Sequence, residues 1–412
     1  MVVVTERRDA PADTELSERL APLRRALQHH VAAGVTDGLV TLVDDGSGHP
    51  VVDRYGTSGT EPAGTAGTEP ISSAVTLPSN TPAAEPAGTT GTELMGRHTR
   101  VPIGEVTTTF TAATVLLLVE DGAIDLHDPI DHLLPELAGR PVLRAIGAPL
   151  DDTVPAIRSV TLVDLLASRS GFGVGPASAP GTPVHRAARS LGLGVFDPDE
   201  ASSPELGVDD WLERLGTLPL LHQPGERRLG RTDALLLGAL VERVTGKPLP
   251  EVMADRVLTP LHLHHTSFRA PGDRADVAAP RMADAAAGLT STVDDVWRFA
   301  AMLVDGGRGG DATRLLAAST VRTMLVDHAR SGHPDQIESH ERGWGLGVEA
   351  AAVGLQSARA SDGFGMDDVG VTWRSNAETG ATAVMLTLPG IDALRAPQLV
   401  TAFWNGVDRA GV

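Results

Sequence analysis

The sequence predicts an α+β protein, and three observations carry that expectation. From Leu16 to Ala33, Leu20, Leu23, Leu27 and Val31 recur at spacings of three and four, the period of an amphipathic helix. Leu39–Val43 and Val51–Val52 flank Asp45-Gly46-Ser47-Gly48 and predict a β-hairpin. Thr107 to Glu120 reads as a helix apolar on nearly every side, with Phe110, Val115, Leu118 and Val119 at helical spacing and Leu116 and Leu117 closing the gaps. Such a helix belongs in the middle of a domain. At 412 residues the chain can bury a substantial core, as one large domain or two interleaved subdomains.

The remaining elements follow in order. Gly56–Leu94 carries the imperfect repeats AGTAGTEP and AGTTGTEL, is rich in Gly, Thr, Pro and Ala, and has few large apolar residues. It reads as a low-complexity surface insertion, with a substrate lid as the alternative. Asp121-Gly122 ends the apolar helix, because glycine takes the left-handed conformation that a helix C-terminus favours. Pro176–Pro204 shows neither helical nor strand period and is expected to wrap the helices. Asp209–Leu220 resumes a helix with Trp211 and Leu215 as core positions, and Leu235–Val244 is a buried helix capped by Gly246. His262, His264 and His265 lie in PLHLHHTSF with no carboxylate at helical spacing, so they read as imidazoles of a structural turn rather than metal ligands.

Composition excludes several functions. A net charge of −19 argues against nucleic acid or an anionic membrane surface as partner, since both demand clustered positive charge. There is no cysteine, hence no disulfide, thiolate metal site or cysteine nucleophile. Lys247 is the only lysine among 34 basic residues, a bias that reads as the mark of a GC-rich bacterial genome. The N-terminus, MVVVTERRDAPADTELSERL, lacks the basic start and apolar run of a secretory signal, and no stretch approaches the length of a membrane-spanning helix. A cytoplasmic location is expected.

Val101–Leu137 resembles the nucleophile helix of serine β-lactamases and penicillin-binding proteins, closest to the class C enzymes and their esterase and transacylase relatives. That family reads I-A-S-x-T-K-x-F-T-A, then E-x-G-x-L-x-L-x-D-P. Ile103, Phe110, Thr111, Ala112, Glu120, Gly122, Leu126, Asp128 and Pro129 fall in step with it without a gap. The register puts Glu105 at the serine and Thr108 at the lysine. Val244 stands three residues before Lys247, so no S-x-x-K exists anywhere, and no K-T-G either. The only tyrosine, Tyr55, precedes Gly56 and Thr57, so Y-x-N is absent too. A serine nucleophile needs a neighbouring base of this kind.

Other stretches extend the resemblance over about residues 16 to 392. IRSVTLVDLLASRSGFG, Ile157–Gly173, matches I-T-I-x-H-L-L-T-H-T-S-G-L, with Ser168 and Arg169 replacing its histidine and threonine. Pro224–Leu249 resembles the Y-S-N region. Counting back from Gly238 gives Leu229 and Arg231 at its tyrosine and asparagine, and counting forward from Pro224 gives Gly230 and Thr232. Ala287–Gly307 matches a structural turn and helix. Ala360–Pro389 looks like G-H-x-G-x-x-x-G-x-x-x-x-x-x-P-E-T-G, and fitting Gly363 to the motif glycine puts Ser361 at the His or Lys position and Asp362 between them.

The resemblance implies one domain over 1–412, a central antiparallel sheet flanked by helices, plus a helical subdomain, with a cleft between. The α/β part would be about 16–100 and 270–412, the helical part about 101–269, with Val371–Trp373 and Thr382–Leu388 as strands beside the cleft. It implies no cofactor and no metal, and a small molecule as the partner. Glu105 would stand at the cleft floor, where the helix dipole and unpaired N–H groups lower its pKa and suit it to act as a base or anchor. Arg231 and Asp362 are its expected catalytic partners, and Thr108, Ser168, Arg169, Thr232, Asp233, Ser361, Gly363 and Phe364 are expected to contact substrate. Two functions fit: a non-covalent small-molecule enzyme of isomerase, cyclase, lyase or hydratase type, or a non-catalytic binding or scaffold protein. Serine hydrolysis through a distant histidine is a third.

Overall fold

The computed structural model describes residues 2–6, 11–56, 95–173, 181–194, 206–268, 282–310, 313–328, 343–350 and 360–412. Of the predicted insertion, Gly56–Leu94, only Gly56 lies among them, as the last residue of a strand. The chain opens with β1 (Val2–Glu6), α1 (Pro11–Arg19), α2 (Ala21–Ala32) and the hairpin β2 (Gly38–Asp45) and β3 (Val51–Gly56). A short strand, β4 (Val101–Pro102), leads into α3 (Val106–Glu120), followed by β5 (Val142–Leu143), β6 (Thr153–Val154) and α4 (Leu162–Leu166). Next come α5 (Pro183–Ser190), α6 (Val208–Leu215), α7 (Thr232–Thr245) and α8 (Leu249–Met253). After β7 (Ser267–Phe268), β8 (Leu289–Ser291), α9 (Val293–Val304) and α10 (Ala318–Leu325) come β9 (Gly343–Trp344) and β10 (Glu349–Ala350). The chain closes with β11 (Phe364–Asp368), β12 (Val371–Ser375), β13 (Ala381–Thr387) and α11 (Ala396–Arg409).

Eight strands form one antiparallel sheet in the order β1-β3-β2-β13-β12-β11-β10-β9. Strand alternation sorts its side chains into two layers. Leu39, Val43, Ala383 and Met385 pack with Leu23 and Leu27 of α2 and Leu399 and Phe403 of α11. Val40, Leu42, Val384 and Leu386 face the other way, into the larger core that holds α3, α7 and α9. There the rings of Phe110 and Phe299 stack with centroids 3.8 Å apart.

The predicted first helix is two. Pro22 has no N–H to continue the ladder, so α1 ends at Arg19 and α2 begins at Ala21. The aperiodic stretch 176–204 also contains a helix, α5. Thr182 caps it by accepting the His185 N–H, and Pro183 fills its first position, the usual place for proline at a helix start. Residues 176–180 and 195–204 of that stretch lie outside the described residues. His262, His264 and His265 are exposed in a turn where His262 has φ 54°. Among the described residues no helix is long and apolar enough to cross a membrane.

The central helix α3 is buried on all sides from Val106 to Leu118. Its threonines fix it to the chain behind. Thr109 Oγ1 donates to the Gly347 carbonyl at 2.9 Å and Thr111 Oγ1 to the Ala285 carbonyl at 2.8 Å. Thr107 Oγ1 accepts the Leu289 N–H at 3.2 Å. Gly347, at φ 72°, passes so close to the helix that a β-carbon there would collide with Ala112.

Candidate functional site

The site forms where α3 begins. Gly104, at φ 50°, turns the chain into the helix, and Glu105 follows as its N-cap residue, its side chain making no capping hydrogen bond. Asp368, the last residue of β11, reaches across and accepts the Glu105 N–H on Oδ2 at 2.8 Å. A β-carbon on Gly104 would fall on that carboxylate, so glycine serves here both for the positive φ and for the close approach. Asp367, one residue earlier, points to the opposite face of the sheet. It accepts from Thr372 and forms an ion pair with Arg374, which also lies 3.2 Å from Glu349.

The turn before α7 supplies the cations. Arg231 precedes the helix at φ 66°, an uncommon conformation for a side-chain-bearing residue. Its guanidinium is held by Asp284 at 2.8 Å, and Asp284 in turn accepts the N–H groups of Ala286 and Ala287. Arg228 is exposed and lies over the Trp344 ring, 4.2 Å from its centroid.

Glu105 as a whole is exposed, while protein packed around its carboxyl desolvates that group. Burial is the largest influence on its pKa and raises it. The charge of Asp368 raises it next, Arg228 and Arg231 oppose the rise, and Glu349 adds to it. The expected lowering by the helix dipole is therefore reversed. The helix's first amide already serves Asp368, and that second carboxylate penalises a charge on Glu105.

The other predicted site residues divide. Arg231 is near enough for its charge to act on Glu105. Thr108, at the lysine position, is buried with Oγ1 3.4 Å from the Ala286 carbonyl. Thr232 is fully buried, and its hydroxyl has no hydrogen-bond partner. Ser168, at φ 56°, is buried and uses its carbonyl to accept the Leu229 N–H. Arg169 staples loops, donating to the carbonyls of His328 and Gly225. Asp233 is buried and accepts both the N–H and the hydroxyl of Ser170, while burial pushes its carboxyl well above the usual range.

Ser361, Asp362 and Gly363 stand elsewhere than expected. Ser361 Oγ donates to Asp408 of α11 at 2.5 Å, Asp362 closes a 3₁₀ turn, and Gly363 packs on the Ser375 carbonyl. Phe364 is buried edge-on against Trp373, at 5.8 Å and 85°. Counting the third motif back from Glu378-Thr379-Gly380 explains this. Gly370 and Gly363 then take its third and first glycines, Phe364 the histidine position, and the motif runs on into Asp367-Asp368. In that count Asp367 and Asp368 fall at positions the motif leaves open. Arg228, Trp344, Glu349 and Asp284 carried no motif signal.

Residues 23–402 match the family model described as Beta-lactamase. The chain belongs to the beta-lactamase family. It is 33% identical over 307 residues to Protein Rv1367c of Mycobacterium tuberculosis, covering 67% of this chain and 72% of that one. Esterase EstB of Burkholderia gladioli is 32% identical over 174 residues, 42% of this chain and 40% of the esterase. Two solved structures share the fold. EstCE1, described as a hydrolase with promiscuous acyltransferase activity, superposes with TM-score 0.66 at 21% identity over 96% of this chain and all (100%) of that one. Simvastatin synthase LovD from Aspergillus terreus superposes with TM-score 0.67 at 17% identity, over 96% and 98%.

Proposed function

We propose that this protein is a small-molecule enzyme that works in the family's cleft without an acyl-enzyme, with Glu105 as its acid–base residue. The observation that carries the reading is the state of Glu105. A carboxyl stands where the resemblance puts the serine, on an exposed residue, and is raised by crowding and by Asp368. A carboxyl raised in this way takes a proton from a substrate and returns it within one turnover, the requirement of an isomerase, cyclase, lyase or hydratase. Arg228 and Arg231 supply positive charge opposite it.

Two measurements test this. Intact-mass spectrometry after incubation with a penicillin or a fluorophosphonate is expected to return the unmodified mass, because no S-x-x-K activates a serine. A stoichiometric serine adduct would instead favour covalent hydrolysis. Untargeted mass spectrometry of a metabolite extract, with wild type and Glu105→Gln side by side, is expected to show species consumed only by wild type, at a rate roughly 10²-fold above the variant. Equal consumption by both removes Glu105 from the chemistry. A second reading, a non-catalytic binding protein, is favoured by one observation: the amide at the head of α3 already serves Asp368. Retention of a compound by both proteins with no turnover supports that reading.

A further inference from the structure

We infer that His98 and His265 form a chelating pair for a divalent transition ion that favours imidazole, zinc or nickel. Along its own turn the run His262, His264 and His265 reads as structural, and the ring that meets His265 comes from a distant part of the chain. The His98 and His265 ring centroids lie 5.6 Å apart with the planes tilted by 48°. A zinc–nitrogen bond of about 2.1 Å puts the ion about 3.2 Å from the centre of each imidazole. Two such arms, opened between the tetrahedral and trigonal angles, set the rings about 5.2–5.5 Å apart, close to the spacing found here. Both residues are exposed, and among the described residues neither ring spends a nitrogen on a hydrogen bond.

The backbone beside each ring is anchored before an ion arrives, and consecutive residues of one helix do it. Asp294, in the first turn of α9, grips Arg97, the neighbour of His98. Arg97 Nη2 donates to its Oδ1 at 2.7 Å and Nε to its Oδ2 at 3.0 Å. Asp295 is buried and accepts the His265 N–H at 2.8 Å and the Thr266 hydroxyl at 2.9 Å. The two arms are thus held at a fixed separation, and the Arg97 charge, which would repel a cation, is already paired. The donor set selects the ion. The chain has no cysteine, and among the described residues no third histidine or carboxylate completes a group of metal ligands. Neutral imidazoles suit zinc, nickel and copper, whereas magnesium and calcium demand oxygen. With the other positions left to water, such an ion acts as a clamp. It ties the segment that leads through β4 to Glu105 onto the turn before β7, and it holds whether or not Glu105 is an acid–base residue.

The test is isothermal titration calorimetry of the full-length, tag-free protein with zinc chloride, with nickel chloride and magnesium chloride in parallel. Zinc and nickel are expected to bind saturably, and magnesium not to bind over the same range. His98→Ala and His265→Ala, exposed substitutions expected to keep the wild-type melting temperature, should each weaken zinc binding by about tenfold or more. Loss of even an outer-shell partner costs a metal site that much. His262 and His264, with centroids 5.8 Å apart on a single turn, are the internal comparison, and alanine at either should leave zinc affinity unchanged. Imidazole ¹⁵N resonances of wild type should move for both His98 and His265 on adding zinc, a readout that needs no variant to fold. No saturable zinc binding, unchanged affinity in His98→Ala, or a loss that follows His262 or His264 instead overturns the assignment. Magnesium binding as tight as zinc overturns its imidazole character.

Discussion

The Asp368 carboxylate accepts the backbone N–H of Glu105 at 2.8 Å, joining the end of one strand to the head of the central helix. In serine acyl transfer the nucleophile's own N–H stabilises the oxyanion as it develops. Here that amide faces a negative charge. Replacing Glu105 by Ser and Thr108 by Lys together is therefore expected not to restore acylation. Intact-mass spectrometry with a penicillin is the check, and an adduct would mean that Asp368 swings aside when the neighbouring carboxylate is gone.

Asp368→Asn keeps an acceptor for the Glu105 amide and removes the charge. Since the Asp368 charge raises the Glu105 carboxyl pKa, the variant should titrate Glu105 at lower pH than wild type. A ¹³C-carboxyl NMR titration reads this directly. An unchanged titration would leave burial and the charge of Glu349 as the causes.

The same shift makes a statement about stability. A carboxyl raised in the folded state holds its proton more tightly there than in the unfolded chain. Its contribution is fully present below the ordinary glutamate pKa and is lost as pH rises through the folded value. Glu105→Gln, neutral throughout, should therefore match wild type in acid and be the more stable protein at mildly alkaline pH. Urea denaturation at the two pH values checks the sign. A variant less stable than wild type at alkaline pH would mean that the helix dipole outweighs crowding.

Asp233→Ala should cost stability without any change at Glu105. It leaves the Ser170 N–H and hydroxyl buried without their acceptor, a loss of about 2–4 kcal/mol. Denaturant melts should show the drop, while the Glu105 titration stays where it was.

Periodic and motif-bearing parts of this chain were legible in its sequence. Phe110 and the leucines of α3, the β2–β3 hairpin and the α7 helix capped by Gly246 all have local patterns, and each forms where expected. The Glu105 position followed from its neighbours in register. What sequence could not give is the company that Glu105 keeps. Arg228 comes from the turn before α7 and Asp368 from the end of β11, and the packing of α7 and β11 against α3 sets both beside Glu105. Asp367 and Asp368 are adjacent and chemically alike, and strand alternation alone sends one to Arg374 and the other to the site. For the third motif Gly363 alone fits two registers, and the Glu378-Thr379-Gly380 turn fixes the count.

A helix with no polar face has no hydrophobic stripe to choose its rotation, so greasy packing alone would let α3 settle at several angles about its axis. Thr107, Thr109 and Thr111 act as pegs in matched holes at Leu289, Gly347 and Ala285. The heading of Glu105 is thus indexed from behind, by threonines with no exposed surface. Exchanging such a hydroxyl for the methyl of valine would preserve the packed volume and remove the peg, so the row is a tuning point for the site that a search confined to its lining would overlook.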